Sequence, residues 1–107
     1  MDEKISFYHK IASSIEGATE SQLFGKPCYK IGGKAFCCFF NDDMVFKLTT
    51  NDHAAAYSLD GSELFDPSGK NRPMKEWVQV PYDYKENWEE FAQSAAKYVK
   101  SKLPTTH

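Results

Sequence analysis

Cys28-Tyr29-Lys30-Ile31-Gly32-Gly33-Lys34-Ala35-Phe36-Cys37-Cys38-Phe39-Phe40-Asn41-Asp42-Asp43-Met44-Val45-Phe46-Lys47-Leu48 is the stretch that decides the fold. Three β-rich runs, 28–31, 34–40 and 44–48, are separated by Gly32-Gly33 and by Asn41-Asp42-Asp43. A Gly-Gly pair supplies positive φ at both central positions of a two-residue hairpin without steric cost. A two-residue first loop sets Ile31 against Lys34, Lys30 against Ala35, Tyr29 against Phe36 and Cys28 against Cys37. The second turn reads as a three-residue loop. Residues two apart on a strand share a side, so the faces follow. One face carries Tyr29, Ile31, Phe36, Cys38, Phe40, Met44, Phe46 and Leu48 and is expected to be the core face. The other carries Cys28, Lys30, Ala35, Cys37, Phe39, Val45 and Lys47, a mixture of small, apolar and basic groups.

Outward from this meander, Ile5, Tyr8, Ile11, Ala12 and Ile15 recur at helical spacing behind Asp2 and Glu3, which predicts a helix over 2–15. Leu23-Phe24-Gly25-Lys26-Pro27 bends the chain into the first strand. Thr50 or Asn51 opens a short helix through Leu59, stopped by Asp60-Gly61. Turn formers fill 65–73, and Glu76-Trp77-Val78-Gln79-Val80 alternates as a fourth strand ended by Pro81. Asp83 and Glu86 stand at capping-box spacing before a last helix with the stripe Trp88, Phe91, Ala92, Ala95, Tyr98 and Val99. The order helix, three strands, helix, strand, helix predicts an α+β fold, an antiparallel β-sheet packed on one face by the N-terminal and C-terminal helices. Residues 1–107 are expected to form one domain, with a frayed tail over 103–107.

The composition agrees with a compact chain of this kind. Of 107 residues, 41% are hydrophobic, 26% charged and 15% aromatic. Aromatic content of that size drives burial strongly enough to offset the entropy of ordering, which excludes a disordered chain. Thirteen Lys and Arg against 15 Asp and Glu give a net charge of −2. That balance lacks the broad positive field of a DNA-coating protein and leaves room only for a local basic patch. No run approaches the ~20 apolar residues that span a membrane, and the N-terminus has no basic segment followed by an apolar one. The three cysteines match neither a disulfide scaffold nor a zinc site, which fits a reducing compartment, and the expected location is cytoplasmic.

Chemistry is sparse. His9, His53 and His107 stand at no metal-ligand spacing, and no nucleophile elbow, phosphate loop, dinucleotide motif or zinc-protease motif occurs. Asp42-Asp43 and Glu89-Glu90 are adjacent carboxylates that point apart rather than converge. The expectation is therefore a non-enzyme with no catalytic residue, no metal and no cofactor. Cys28 and Cys37, set across from each other at a non-hydrogen-bonded pair, form a candidate redox pair with Lys30 nearby to favour thiolate. The plainer reading makes these thiols small hydrophobes in a strand. Basic residues cluster at Lys26, Lys30 and Lys34 and at Lys70, Arg72 and Lys75. With Tyr29 and Phe39 close by, either cluster reads as a site that holds phosphate and stacks a base. Solvated lysines guarding a strand edge are the alternative. The half-apolar face with Ala35, Cys37, Phe39 and Val45 calls for cover by a second copy, by another protein, or by loop 67–73.

Leu23-Phe24-Gly25-Lys26-Pro27-Cys28-Tyr29-Lys30-Ile31-Gly32-Gly33-Lys34-Ala35-Phe36 with Asp43-Met44-Val45-Phe46-Lys47-Leu48 resembles the N-terminal domain of the TfoX/Sxy competence regulators. Phe65-Asp66-Pro67, Gly69-Lys70-Asn71-Arg72-Pro73-Met74-Lys75-Glu76-Trp77-Val78 and Val80-Pro81 resemble a second block of its stand-alone members. The resemblance implies a YjbR-like α+β fold and a regulatory role through a separate DNA-binding activator. It carries over no catalytic residue. Phe24, Gly25, Gly33, Pro67, Arg72, Pro73, Met74 and Trp77 match its motifs, and most have structural readings. Arg72, a planar donor on a loop, is the one better suited to binding. The expected function is a small non-catalytic regulatory module acting through protein contacts in transcription regulation, with an unknown protein or a second copy as partner and no membrane. The alternative is weak nucleic-acid binding through the two basic clusters.

Overall fold

The computed structural model describes residues 3–23, 25–66 and 73–102. Helix α1 (Glu3–Ser13) precedes strands β1 (Thr19–Leu23), β2 (Lys26–Ile31), β3 (Lys34–Phe40) and β4 (Asp43–Lys47). Helix α2 (Thr50–Tyr57), strands β5 (Glu63–Phe65) and β6 (Met74–Val80), a single 3-10 turn at Tyr82–Tyr84 and helix α3 (Lys85–Ser101) complete the chain. The strands form one sheet in the order β1-β2-β3-β4-β6-β5, every pair antiparallel. The architecture is α+β, as the alternation of elements in the sequence predicts. Two strands escape that alternation. β1 reads Thr-Glu-Ser-Gln-Leu, with no β-branched run to mark it, and β5 is only three residues long.

Helix α1 forms because Tyr8, Ile11 and Ala12 bury on one side, with Glu3 in its first turn and Lys10 in its last, each sign matching the end of the helix dipole. Helix α3 buries Trp88, Phe91, Ala92, Ala95, Ala96 and Val99 at spacings of three and four. Trp88 is fully buried and its indole N–H donates to the carbonyl of Pro81 at 3.3 Å. No capping box opens this helix. Pro81 leads into the 3-10 turn, Asp83 falls inside that turn, and Tyr84 stands at the N-cap without a side-chain bond. All three helices contribute to one core with Tyr29, Ile31, Phe36, Cys37, Phe39, Met44, Phe46, Leu48, Val78 and Val80 from the sheet.

Two corrections to the sequence reading meet inside β3. Cys28 faces Cys38 and Tyr29 faces Cys37, whereas Lys30 faces Ala35 and Ile31 faces Lys34, so Phe36 is an extra residue bulged into β3. The second loop is also shorter than expected. Phe40 pairs Asp43, and the turn is Asn41-Asp42, both at positive φ (51° and 66°), the conformation that Asn and Asp tolerate best after glycine. The bulge adds one residue to the pairing and the shorter turn removes one. The slips cancel, so β4 comes out on the expected faces and only the second half of β3 is reversed. Cys37 and Phe39 face the helices, and Cys38 and Phe40 face away.

The face turned away from the helices is packed as well. Cys28, Cys38, Val45, Phe65 and Trp77 form a second buried cluster, joined by Leu23, Ala35, Phe40 and Met74, with no helical residue among them. β3 and β5 are three strand spacings apart, roughly 14 Å in a flat sheet. Yet the Phe40 and Phe65 rings lie 5.3 Å apart, edge to face, and Phe65 is 6.4 Å from Trp77. The two side chains reach over the strands between them. Cys28, Cys38, Val45 and Phe65 are at 0% exposure. Of the four residues expected to need cover on this face, Cys37 and Phe39 face the helices instead, Val45 is buried and Ala35 packs on the cluster; cover by loop 67–73 rests on residues 67–72, which lie outside the described residues.

Candidate functional site

What remains accessible on the helix-free face is basic. Register puts Thr19 beside Lys30, Lys30 beside Ala35, and Lys47 beside Trp77. Ala35 lies on the strand between Lys30 and Lys47, and packs on the cluster below. Thr19, Lys30 and Ala35 thus stand in one register row and Lys47 and Trp77 in another, on one face with β3 beside β4. Nearer the other end of the strands, Lys26 sits on the same face, its ammonium 5.0 Å from the centre of the Phe40 ring. Lys26, Lys30 and Lys47 are each half-buried. Among the described residues the one ion pair is Lys4 Nζ to Asp42 Oδ2 at 3.8 Å, so no described carboxylate neutralises the three lysines of this face.

Two carboxylates share the face. Glu63 pairs across from Gln79 on β5. Asp43 accepts a hydrogen bond from Gln79 Nε2 at 2.9 Å, and Gln79 is the buried polar side chain of the described residues. Burial pushes the Asp43 carboxyl up, against the opposing pull of the Gln79 and Tyr82 hydrogen bonds. The face thus carries a basic half over β2 to β4 and an acidic margin toward β5.

The other lysines of the sequence-predicted clusters fall elsewhere. Lys34 is exposed and pairs with Ile31, which points it to the opposite face. Lys75 is exposed at an irregularity in β6, where Leu64 pairs Val78 and Phe65 pairs Met74. His53 Nε2 donates to the Lys75 carbonyl at 2.7 Å, and the Tyr98 hydroxyl donates to Glu76 Oε2, so α2 and α3 both hold this irregular segment. Lys70 and Arg72 lie outside the described residues, as do Phe24, Pro67 and the tail 103–107. Lys47 is the lysine of this face that the clusters in the sequence leave out. Its signal is alternation along Asp43–Lys47, where Val45 and Lys47 share a side with Lys30.

The pairing of Cys28 with Cys37 is overturned by the bulge: Cys28 faces Cys38, and Cys37 faces the helices. All three thiols are free and buried. Burial pushes each of them up, and for Cys28 it outweighs the nearby Lys30 ammonium and a hydrogen bond with Ser21. The stacking role of Tyr29 and Phe39 is overturned too. Tyr29 is 5% and Phe39 8% exposed, both under α1, with the Tyr8 ring 5.7 Å and 5.3 Å away respectively. The Tyr29 hydroxyl is 3.0 Å from His9 Nδ1.

No three His, Cys, Asp or Glu of the described residues are grouped to hold a metal ion. Shallow concave places lie over the helices. One of about 290 Å³ is lined by Phe7, Lys10, Ile11, Ser14 and Glu89, and another of about 250 Å³ by Thr49, Asp52, Ser94, Lys97, Tyr98 and Ser101. No described helix is long and apolar enough to cross a membrane. No family model, curated protein or solved structure matches this chain.

Proposed function

We propose that this chain is a small non-catalytic binding module of the cytoplasm, acting in transcription regulation as its resemblance to the TfoX N-terminal domain implies, and that it receives a protein partner on the helix-free face of its sheet. The observation that carries the reading is the set Lys26, Lys30 and Lys47 on one face, unmatched by any described carboxylate, above a floor whose aromatic rings are already packed. Trp77 is 6% exposed, and Tyr57 on α2 is the one large hydrophobic side chain of the described residues that is well exposed. Nucleic-acid platforms without base readout pair a basic groove with aromatic faces open for stacking. Here the charge is present and the open rings are absent from the described face, which favours a protein surface over a nucleic acid.

The test is capture of partners on the immobilised chain, beside a Lys30→Glu/Lys47→Glu variant and a Lys97→Glu/Lys100→Glu control on α3, followed by calorimetry with the purified partner. The expected result is a partner held by wild type and control and lost by the face variant. A partner held equally by a folded face variant refutes the reading. Fluorescence anisotropy with duplex and single-stranded DNA at low and near-physiological salt addresses nucleic-acid binding. Salt-sensitive binding that the face variant loses would put the nucleic acid in the partner's place.

A further inference from the structure

The lysines of this face have a spacing as well as a charge. β2 and β4 flank β3, so Lys30 and Lys47 rise from strands two spacings apart, roughly 10 Å. Ala35 is on the strand between them and on the same face, and its short side chain packs on the buried cluster. Thr19 pairs beside Lys30 and Trp77 beside Lys47. The carboxylates that the register places on this face are displaced from Lys30 and Lys47. Asp43 is engaged by Gln79 on the far half of β4, and Glu63 is on β5 beyond β6.

Resting on the reading of this face as the docking surface, we propose that Lys30 and Lys47 form a two-point seat for an Asp/Glu-rich peptide segment, one that lies over Ala35 and gives a carboxylate to each lysine. Charge complementarity selects this occupant. Two ammonium groups, each without a described ion-pair partner, stand on the strands either side of β3, and like charges held on one face gain most from a ligand that supplies two carboxylates at once. The chain as a whole carries −2, so an acidic segment is repelled by the molecule at large and drawn to this face, which orients the encounter. A phosphate backbone offers charge too, but its binding gains from stacking that this floor does not provide.

The test uses the full chain and a fluorescein-labelled deca-glutamate peptide, with deca-glutamine as the neutral reference, followed by anisotropy at about 20 mM and about 150 mM salt, either side of the range where exposed charges become screened. Wild type is expected to bind deca-glutamate and not deca-glutamine, with affinity falling as salt rises. Lys30→Gln/Lys47→Gln should weaken binding roughly five- to tenfold, two exposed ion pairs' worth. Lys97→Gln/Lys100→Gln, which removes the same charge from α3, should stay within about twofold. Ala35→Glu places a carboxylate beside Lys30 and should weaken the peptide like the double variant, whereas Ala35→Ser should not. Circular dichroism on each variant checks that the sheet is intact. Deca-glutamate bound no better than deca-glutamine, or bound equally by the double variant, overturns the seat. A labelled oligothymidylate bound more tightly than the peptide, with the same variant dependence, overturns the acidic-peptide class. The seat and the face fail separately: a captured partner that still needs Lys30 and Lys47, with no affinity for the acidic peptide, removes the seat and leaves the docking face.

Discussion

Phe65 tests whether the helix-free side is a second core or only a sheet surface. It belongs to β5, three residues long, and is fully buried although no helix lies over it. Its neighbours are the rings of Phe40 at 5.3 Å and Trp77 at 6.4 Å. Truncating a buried Phe costs about 3–5 kcal/mol through lost transfer energy and the cavity left behind. The lower half of that range applies here, about 3–4 kcal/mol, because the half-buried Leu23, Phe40 and Met74 at the cluster's margin can relax into the space. For a domain of this size about 1 kcal/mol corresponds to roughly 4–5 °C, so Phe65→Ala should lower Tm by about 12–20 °C. Phe65→Leu, which keeps most of the volume, should cost under about 1.5 kcal/mol. Tyr57→Ala is the control: Tyr57 is 51% exposed and its loss should stay within about 0.5 kcal/mol. Urea unfolding followed by circular dichroism measures all three, and a change in midpoint at constant slope isolates stability. A Phe65→Ala loss below about 1 kcal/mol would refute the second core, since surface substitutions fall in that range.

Three more outcomes follow from the packing and the titrations. The thiols of Cys28, Cys37 and Cys38 are buried and held toward the protonated form, so Ellman's reagent should find none in the native protein and three after denaturation. A native thiol reacting at the rate of a free one would contradict this burial. Thr50 opens α2 at φ 51°, a left-handed conformation that a β-branched residue adopts at a cost, and Thr50→Gly should raise stability by about 1 kcal/mol in thermal unfolding. An unchanged Tm would mean that no strain is held there. Burial raises the folded-state Asp43 pKa above its unfolded value, so its contribution is fully present below the ordinary carboxylate value of about 3.9 and is lost as pH rises through the folded value. Asp43→Asn keeps an acceptor for Gln79 and should flatten that part of the pH–stability curve, measured as urea midpoints from acid to neutral pH. Parallel curves for the two proteins would sink the assignment.

Much of the fold is legible in the sequence because it rests on local signals of one period. The stripe of α3 and the Gly32-Gly33 hairpin are written in consecutive residues, and the α+β class follows from their order. The second half of β3 is not legible, because Phe36-Cys37-Cys38-Phe39-Phe40 is apolar at every position and offers no alternation to fix a face. Both faces of the sheet are packed, so either register satisfies burial along that run, and the bulge is decided by pairing with β2 and β4 instead. β1 is missed for a related reason: it is an edge strand whose polar residues gain their structure from β2, not from intrinsic preference. Of the candidate site, Lys26 and Lys30 are visible as a cluster in sequence. Lys47 is placed on the face of Lys30 by alternation along 44–48, but it stands outside both sequence clusters because it joins them across strands rather than along the chain.

The burial of the floor decides what kind of interface this face can make. An open apolar patch would bind through area, with affinity little affected by salt. Here the rings that such a patch would offer, Phe40, Phe65 and Trp77, are engaged with one another, and Lys26 already lies on Phe40. The free energy left for a partner is the charge of a few half-buried lysines. Exposed pairs of this kind are individually weak, about 0.2–1 kcal/mol, and act mainly on encounter rate and orientation. A face built this way suits contacts that form and break readily, where a partner's acidic segment is recognised by charge pattern. It does not suit a permanent subunit interface, which would need apolar area that this face has already spent on its own second core.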